Sequence, residues 1–179
     1  MADAAQRRAR SSYAWGPLSA LGLAIAAFAC LVDQGSKFWL LYVFDLPSRG
    51  AVAVTYFIDI VLTWNTGISY GLFPQEGLVG QGALLAFKVV AVVFLWCWLA
   101  RAASRLTAVS LGLIIGGALG NAFDRLHWPG VLDFVLLHAE TENWSFRWYV
   151  FNVADVAIVA GVAGLLYDSF TRRDAVKAP

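Results

Sequence analysis

Four apolar runs, each about as long as a bilayer is thick, leave this chain few folds to choose from. They cover about residues 18–37, 82–100, 106–124 and 153–170. The first continues in apolar residues to Phe44 but is interrupted by Asp33-Gln34-Gly35-Ser36-Lys37. A helix needs about 20 apolar residues to cross a hydrocarbon core of about 30 Å. Lipid offers no partner to an open backbone, so each run is expected to be helical. A soluble fold is excluded by composition. Of the 179 residues, 60% are hydrophobic and 14% charged, where a soluble domain has about 45–50% and about 25%. The expected architecture is an all-α membrane protein, a four-transmembrane-helix bundle forming a single domain over residues 1–179. Disorder and coiled coil fall away on the same arithmetic. So does nucleic-acid binding, because the net charge is +1 and no basic block could neutralise phosphates.

Basic residues set the expected orientation. Arg7, Arg8 and Arg10 precede the first run, Arg101 and Arg105 join the second to the third, and Arg172, Arg173 and Lys177 follow the fourth. These are eight of thirteen basic residues on one side, which the positive-inside rule makes cytoplasmic. Both termini are then expected inside. The stretch Pro17–Ala29 followed by Cys30 resembles a signal peptide, but the bulky Phe28 and the three later runs argue for a retained first helix. Cys30 and Cys97 lie in apolar runs and read as ordinary buried cysteines.

The two long connections, about 45–74 and 130–150, are expected on the outer side. They are not polar loops. Ala51–Ile58, Val131–Leu137 and Trp144–Val150 are rich in β-branched and aromatic residues and read as strands, with a turn at Ala139–Asn143. Trp39, Tyr42, Trp64, Trp128, Trp144, Trp148 and Tyr149 crowd the same boundary as an interfacial belt. A small β-sheet or cradle on the outer membrane face is the expected result.

The informative residues are acids where acids are costly. The third run carries Gly116-Gly117-Ala118-Leu119-Gly120-Asn121-Ala122-Phe123-Asp124-Arg125, and the fourth opens Phe151-Asn152-Val153-Ala154-Asp155. At 1.5 Å per residue, Asp124 lies about 27 Å above Leu106. Asp155 lies about one turn inside the outer end of an antiparallel helix, so the two acids reach similar depth. Asn121 is i,i+3 from Asp124, and Asn152 is i,i+3 from Asp155. Asp33 and Lys37 are i,i+4, the better orientation for a salt bridge. Gly116, Gly117 and Gly120 permit close helix approach. Two close carboxylates tend to share one proton. The charged one can activate water, and the neutral one can donate to a carbonyl and to a leaving amine. That is amide hydrolysis needing no cofactor and no metal.

In order along the chain, Asp33-Gln34-Gly35-Ser36-Lys37, Asn65-Thr66-Gly67, Gly116–Arg125, Asp133-Phe134 and Phe151–Asp155 resemble the five motifs of the bacterial lipoprotein signal peptidases, signal peptidase II. One departure is Ile68-Ser69, where that family usually has small residues. The resemblance implies an inner-membrane aspartyl endopeptidase acting on diacylglyceryl-modified prolipoproteins, cutting just before the modified cysteine. It implies Asp124 and Asp155 as the catalytic pair, with Asn65, Gly67, Asn121, Arg125 and Asn152 shaping the site and binding substrate. Asp33, Lys37, Gly117 and Gly120 would support the fold. Membrane lipid is the other expected partner, nucleic acid is not, and a monomer is expected to suffice.

Other chemistries fit less well. The Gly-x-Gly-Asp of presenilin-type proteases is absent, as is His-Glu-x-x-His. His127 and His138 fall in the outer connection, away from any intramembrane serine. The alternative from another class is a proton-coupled transporter or channel subunit. It predicts acids spread through the membrane depth, whereas here they gather at one level. Lys88, within the second run, has no part in these chemistries and is expected to snorkel outward or to contact lipid headgroups.

Overall fold

A computed structural model describes residues 14–67, 78–141 and 143–177. Helix α1 spans Ser19–Phe38 and continues without a break as a π-helix over Trp39–Val43. The interruption expected at Asp33–Lys37 therefore does not end the span. Its polar side chains point into the bundle, where Asp33 and Lys37 are buried. A short helix α2 (Leu46–Arg49) leads into strands β1 (Val52–Thr55) and β2 (Ile58–Asn65). Helices α3 (Leu78–Leu99) and α4 (Arg105–His127) form a hairpin. Strands β3 (Val131–Thr141) and β4 (Trp144–Arg147) follow, and α5 (Val153–Lys177) is the last described element. Among the described residues, four segments are long and apolar enough to cross a membrane: Ser19–Val43, Gly82–Leu99, Arg105–His127 and Val153–Thr171.

Helix α4 is the centre of the bundle and its most buried span. Its small residues explain this, because they let backbones touch. A Cβ on Gly117 would meet Ala154 O of α5 at 2.5 Å, and one on Gly120 would meet Asp33 Oδ2 of α1 at 2.5 Å. Ser104 caps its first turn by accepting from Thr107 N, and the Ser104 and Thr107 hydroxyls donate to Asp168 Oδ2 of α5 at 3.1 and 2.6 Å. Away from the sheet, Ala26, Leu99, Ala108, Leu111 and Ile115 close an apolar core. In contrast α3 is largely uncovered, with Val79, Phe87, Val90 and Phe94 exposed. A lipid-facing helix needs no polar outer face.

The strands form one antiparallel sheet in the order β1-β2-β3-β4. Two strand boundaries differ from expectation. Ala51–Ile58 is split by a turn at Tyr56-Phe57, and β2 continues to Asn65. Strand β3 runs on through Ala139–Thr141, residues expected in the turn, while Trp148–Val150 lie outside β4. Between Ile60 and Thr63 the β2 register slips against β3, so one extra residue bulges from β2. Past the bulge Thr63 pairs with Asp133 and Asn65 with Val131. Asn65 and Asp133 become diagonal neighbours on one face. The opposite face carries Leu132 and Phe134, which join Leu40 and Leu46 in a second apolar core. Alternation along β3 thus sends Leu132 and Phe134 to the core and Val131 and Asp133 to a cavity. The aromatic belt is exposed at the sheet end: Trp39, Tyr42, Trp144, Trp148 and Tyr149. His127 closes α4 rather than lying in the connection, and its ring stacks on Phe123. Among the orienting residues, Arg7, Arg8 and Arg10 lie outside the described residues, as do Ile68-Ser69 and the rest of the expected outer segment to residue 74.

Candidate active site

A cavity of about 250 Å³ opens between the sheet and helices α3, α4 and α5. Helix α4 lines it with Ile114, Ala118, Asn121 and Arg125, spaced 4, 3 and 4 residues apart as one helical stripe requires. Asp133 and Val131 enter from β3, Asn65 from β2, and Asp155 and Ile158 from α5. The polar groups collect beneath the sheet. The rest of the lining, which includes Leu84, Ala91, Leu95 and Ile114, is apolar apart from Lys88.

The start of α5 explains how two acids reach one cavity. Phe151 pairs through its backbone with Val135 of β3, which clamps the head of the helix to the strand carrying Asp133. Asn152 then caps α5. Asp155 N donates to Asn152 Oδ1 at 3.0 Å, and Asn152 N donates to Asp155 Oδ2 at 3.2 Å. This is a reciprocal capping box. It leaves the Asn152 amide free to donate outward, to Asp133 Oδ1 at 2.6 Å, Asn121 Oδ1 at 3.1 Å and Leu132 O at 3.3 Å. Asn152 is fully buried and touches both acids, so it sets their spacing.

The remaining amides complete the arrangement. Asn121 Nδ2 donates to Asp155 Oδ1 at 3.1 Å, and Asn65 Nδ2 donates to Asp133 Oδ2 at 3.0 Å. Asn65 Oδ1 accepts from Gly67 N at 3.0 Å, a local turn that holds the loop, and the Arg125 guanidinium donates to Gly67 O. Burial pushes the Asp133 carboxyl up to about 7. The neighbouring Asp155 charge adds to that rise, and the donors Asn65 and Asn152 offset part of it. Among the described residues, no group of three or more His, Cys, Asp or Glu is arranged to hold a metal ion.

Asp124 stands elsewhere, which corrects its expected pairing with Asp155. It is 1% exposed and is not among the cavity-lining residues. Lys37 Nζ lies 2.7 Å from Asp124 Oδ2 and 2.7 Å from Asp33 Oδ2, so one buried ammonium joins two carboxylates. Gln34 Nε2 donates to Asp124 Oδ1 at 2.8 Å, and Leu132 N donates to Asp124 Oδ2 at 3.0 Å. The expected Asn121–Asp124 partnership is likewise replaced by Asn121–Asp155. The depth estimate for Asp124 cannot detect this, because depth is only one coordinate. At about 100° per residue, Asp124 is turned about 60° from Asn121 and about 100° from Arg125. That rotation moves it off the cavity stripe and onto α1.

The expected Asp33–Lys37 pair is present and buried, and it reaches further than expected. Asp33 Oδ1 accepts from Ala154 N at 3.0 Å, which ties α1 to the head of α5. Two contributors were missed from sequence. Gln34 reads from the sequence only as part of a motif, yet it donates to Asp33, Gly120 O and Asp124. Asp133 likewise reads only as part of a motif. Its signal was available: a lone acid in the apolar strand Val131-Leu132-Asp133-Phe134-Val135.

Comparison with known proteins adds an independent finding. The family model described as Signal peptidase (SPase) II matches residues 25–171. A lipoprotein signal peptidase of Nitrobacter hamburgensis is 58% identical over 158 residues, spanning 88% of this chain and 96% of that one. One from Rhodopseudomonas palustris strain TIE-1 is 55% identical over 159 residues, spanning 89% and 97%. A solved bacterial membrane enzyme, obtained by the in meso method, superposes with a TM-score of 0.71 over 89% of this chain and 92% of that one. At 21% identity that likeness bears on the fold alone.

Proposed function

The chain belongs to the signal peptidase II family, and from that premise we propose that Asp133 and Asp155 are its working carboxylates. The protein is a bacterial membrane protease of the aspartic class that removes the signal peptide from prolipoproteins. The observation that carries the assignment is the Asn152 bridge. One buried amide residue touches both acids at the wall of a single cavity, while Asp124 is committed to Lys37.

The chemistry follows from one proton shared by two carboxylates. Asp133, whose carboxyl is pushed up to about 7, is the one that carries it. Asp155 takes a proton from water as the water oxygen bonds to the scissile carbonyl carbon. Asp133 gives its proton to the carbonyl oxygen. When the C–N bond breaks, the proton on Asp155 goes to the departing nitrogen, and the re-forming carbonyl returns the other to Asp133. One water is added, the signal peptide leaves with a new carboxyl group, and the cysteine leaves with a free amine. Asn65, Asn121 and Asn152 hold the acids, and Arg125 with Gly67 holds the loop beside them.

The finer substrate is a precursor already carrying a diacylglyceryl group on the cysteine that follows the scissile bond. A cavity flanked by the exposed lipid-facing helix α3 supports this, because acyl chains can stay in the bilayer while the peptide bond meets the acids. Purified protein in detergent or bilayer is expected to cut lipidated precursor far faster than the unmodified form. Equal rates would overturn this specificity.

The sheet end is assigned to the outer face. Arg101 and Arg105 lie at the opposite end of the bundle, on the α3–α4 hairpin. Reporter fusions at the C-terminus are expected to report a cytoplasmic location. An external C-terminus would invert the placement of the whole site.

A further inference from the structure

Helix α3 forms the cavity wall that faces the two acids, and it does so with Leu84, Phe87, Lys88, Ala91 and Leu95. Lys88 is the one charged member of that stripe. It sits six residues inside the Gly82–Leu99 span and eleven from its other end, about 9 Å and 16 Å along the helix. Its side chain lines the cavity instead of snorkelling outward along the lipid face. Among the described residues Lys88 has no hydrogen-bond or salt-bridge partner, although an ammonium carries three donors. The charged groups facing it are Asp155 and Arg125, with Lys37 and Asp124 beyond. Asp155 is already held by Asn121 and Asn152, and Arg125 by Gly67. A cation left in this state at membrane depth needs an anion to complete it.

The reaction makes one. Each turnover creates a carboxylate at the end of the signal peptide, inside the cavity and beside an acid pair that carries negative charge. In water such a group would be solvated, but the lining here is mostly apolar. Resting on the peptidase reading above, we propose that Lys88 is a positioning residue for this reaction. Its ammonium receives the new C-terminal carboxylate of the cut signal peptide and draws it off the acid pair toward the α3 wall. The ligand class is an apolar peptide with a free carboxyl terminus.

The test is competition against cleavage of lipidated precursor by the full-length protein in lipid–detergent micelles. Two synthetic signal-peptide fragments of one sequence serve as competitors, one ending in a free carboxylate and the other in a carboxamide. Wild type is expected to bind the acid more tightly than the amide. Lys88→Met is expected to reduce that acid-over-amide ratio about tenfold, as loss of a charge-assisted hydrogen bond implies. Lys88→Arg is expected to keep most of the ratio. An unchanged ratio in Lys88→Met, or equal weakening of both competitors, overturns the proposal. Equal competition by acid and amide in wild type overturns it too, whether or not a variant folds. If wild type does not cut the precursor, the peptidase reading fails first. If it cuts and the ratio is flat, only the role of Lys88 falls.

Discussion

Asp133→Asn and Asp155→Asn are each expected to lower turnover of lipidated precursor by about 10³-fold while the four-helix fold survives. An amide has the size of a carboxylate but can neither take a proton from water nor return one to the leaving amine. Each substitution also sets an NH₂ group against a donor, Asn65 or Asn152 for Asp133 and Asn121 or Asn152 N for Asp155, so some stability should be lost as well. Thermal unfolding of the purified variants separates that loss from the chemical one. Removing both acids should be little worse than removing one, because they act as a unit. The pH profile of wild type is expected to fall on both sides. With Asp133 pushed up to about 7, loss of the shared proton sets the alkaline limb near neutrality, and protonation of the general base sets the acid limb. Both apparent values belong to the pair. Appreciable turnover by folded Asp133→Asn would remove it from the mechanism.

The second large effect is on folding. Lys37→Met is expected to cost about 3–5 kcal/mol or more and to cut the yield of folded protein sharply. Lys37 is buried with Asp33 on one side and Asp124 on the other, each at 2.7 Å, so its loss strands two buried carboxylates. Adding Asp124→Asn to Lys37→Met removes one of those charges and is expected to recover part of the stability. Asp124→Asn alone still leaves Lys37 its pair with Asp33, and the new amide oxygen can accept from Leu132 N. It should therefore fold, lose some stability, and keep far more turnover than Asp133→Asn. Unfolding curves and turnover measured on the same preparations decide the matter. A well-folded Asp124→Asn as inactive as Asp133→Asn would return Asp124 to the chemistry. An undisturbed Lys37→Met would show that the buried cluster is not what holds α1 to α4.

Sequence alone determined what depends on position along the chain. Run length set four spans, because hydrocarbon thickness fixes how many apolar residues a helix needs. Spacing within one helix showed the Asp33–Lys37 pair, since i,i+4 residues meet wherever the helix goes. Small residues marked the faces of close approach, and Gly117 and Gly120 do touch Ala154 and Asp33. Motif order pointed to the family. Tertiary structure decided what depends on rotation about an axis and on contacts between distant segments. Asp124 has the depth of a site residue, but α4 turns it toward a lysine 87 positions away. Asp133 is brought to Asp155 by the alternation along β3 and by the backbone clamp at Phe151, and Asn65 is brought to Asp133 by the β2 bulge. None of these lies within one helix, where a fixed repeat would have made it readable. Depth comes from counting residues, whereas the direction a side chain faces comes only from the partners that packing places around it.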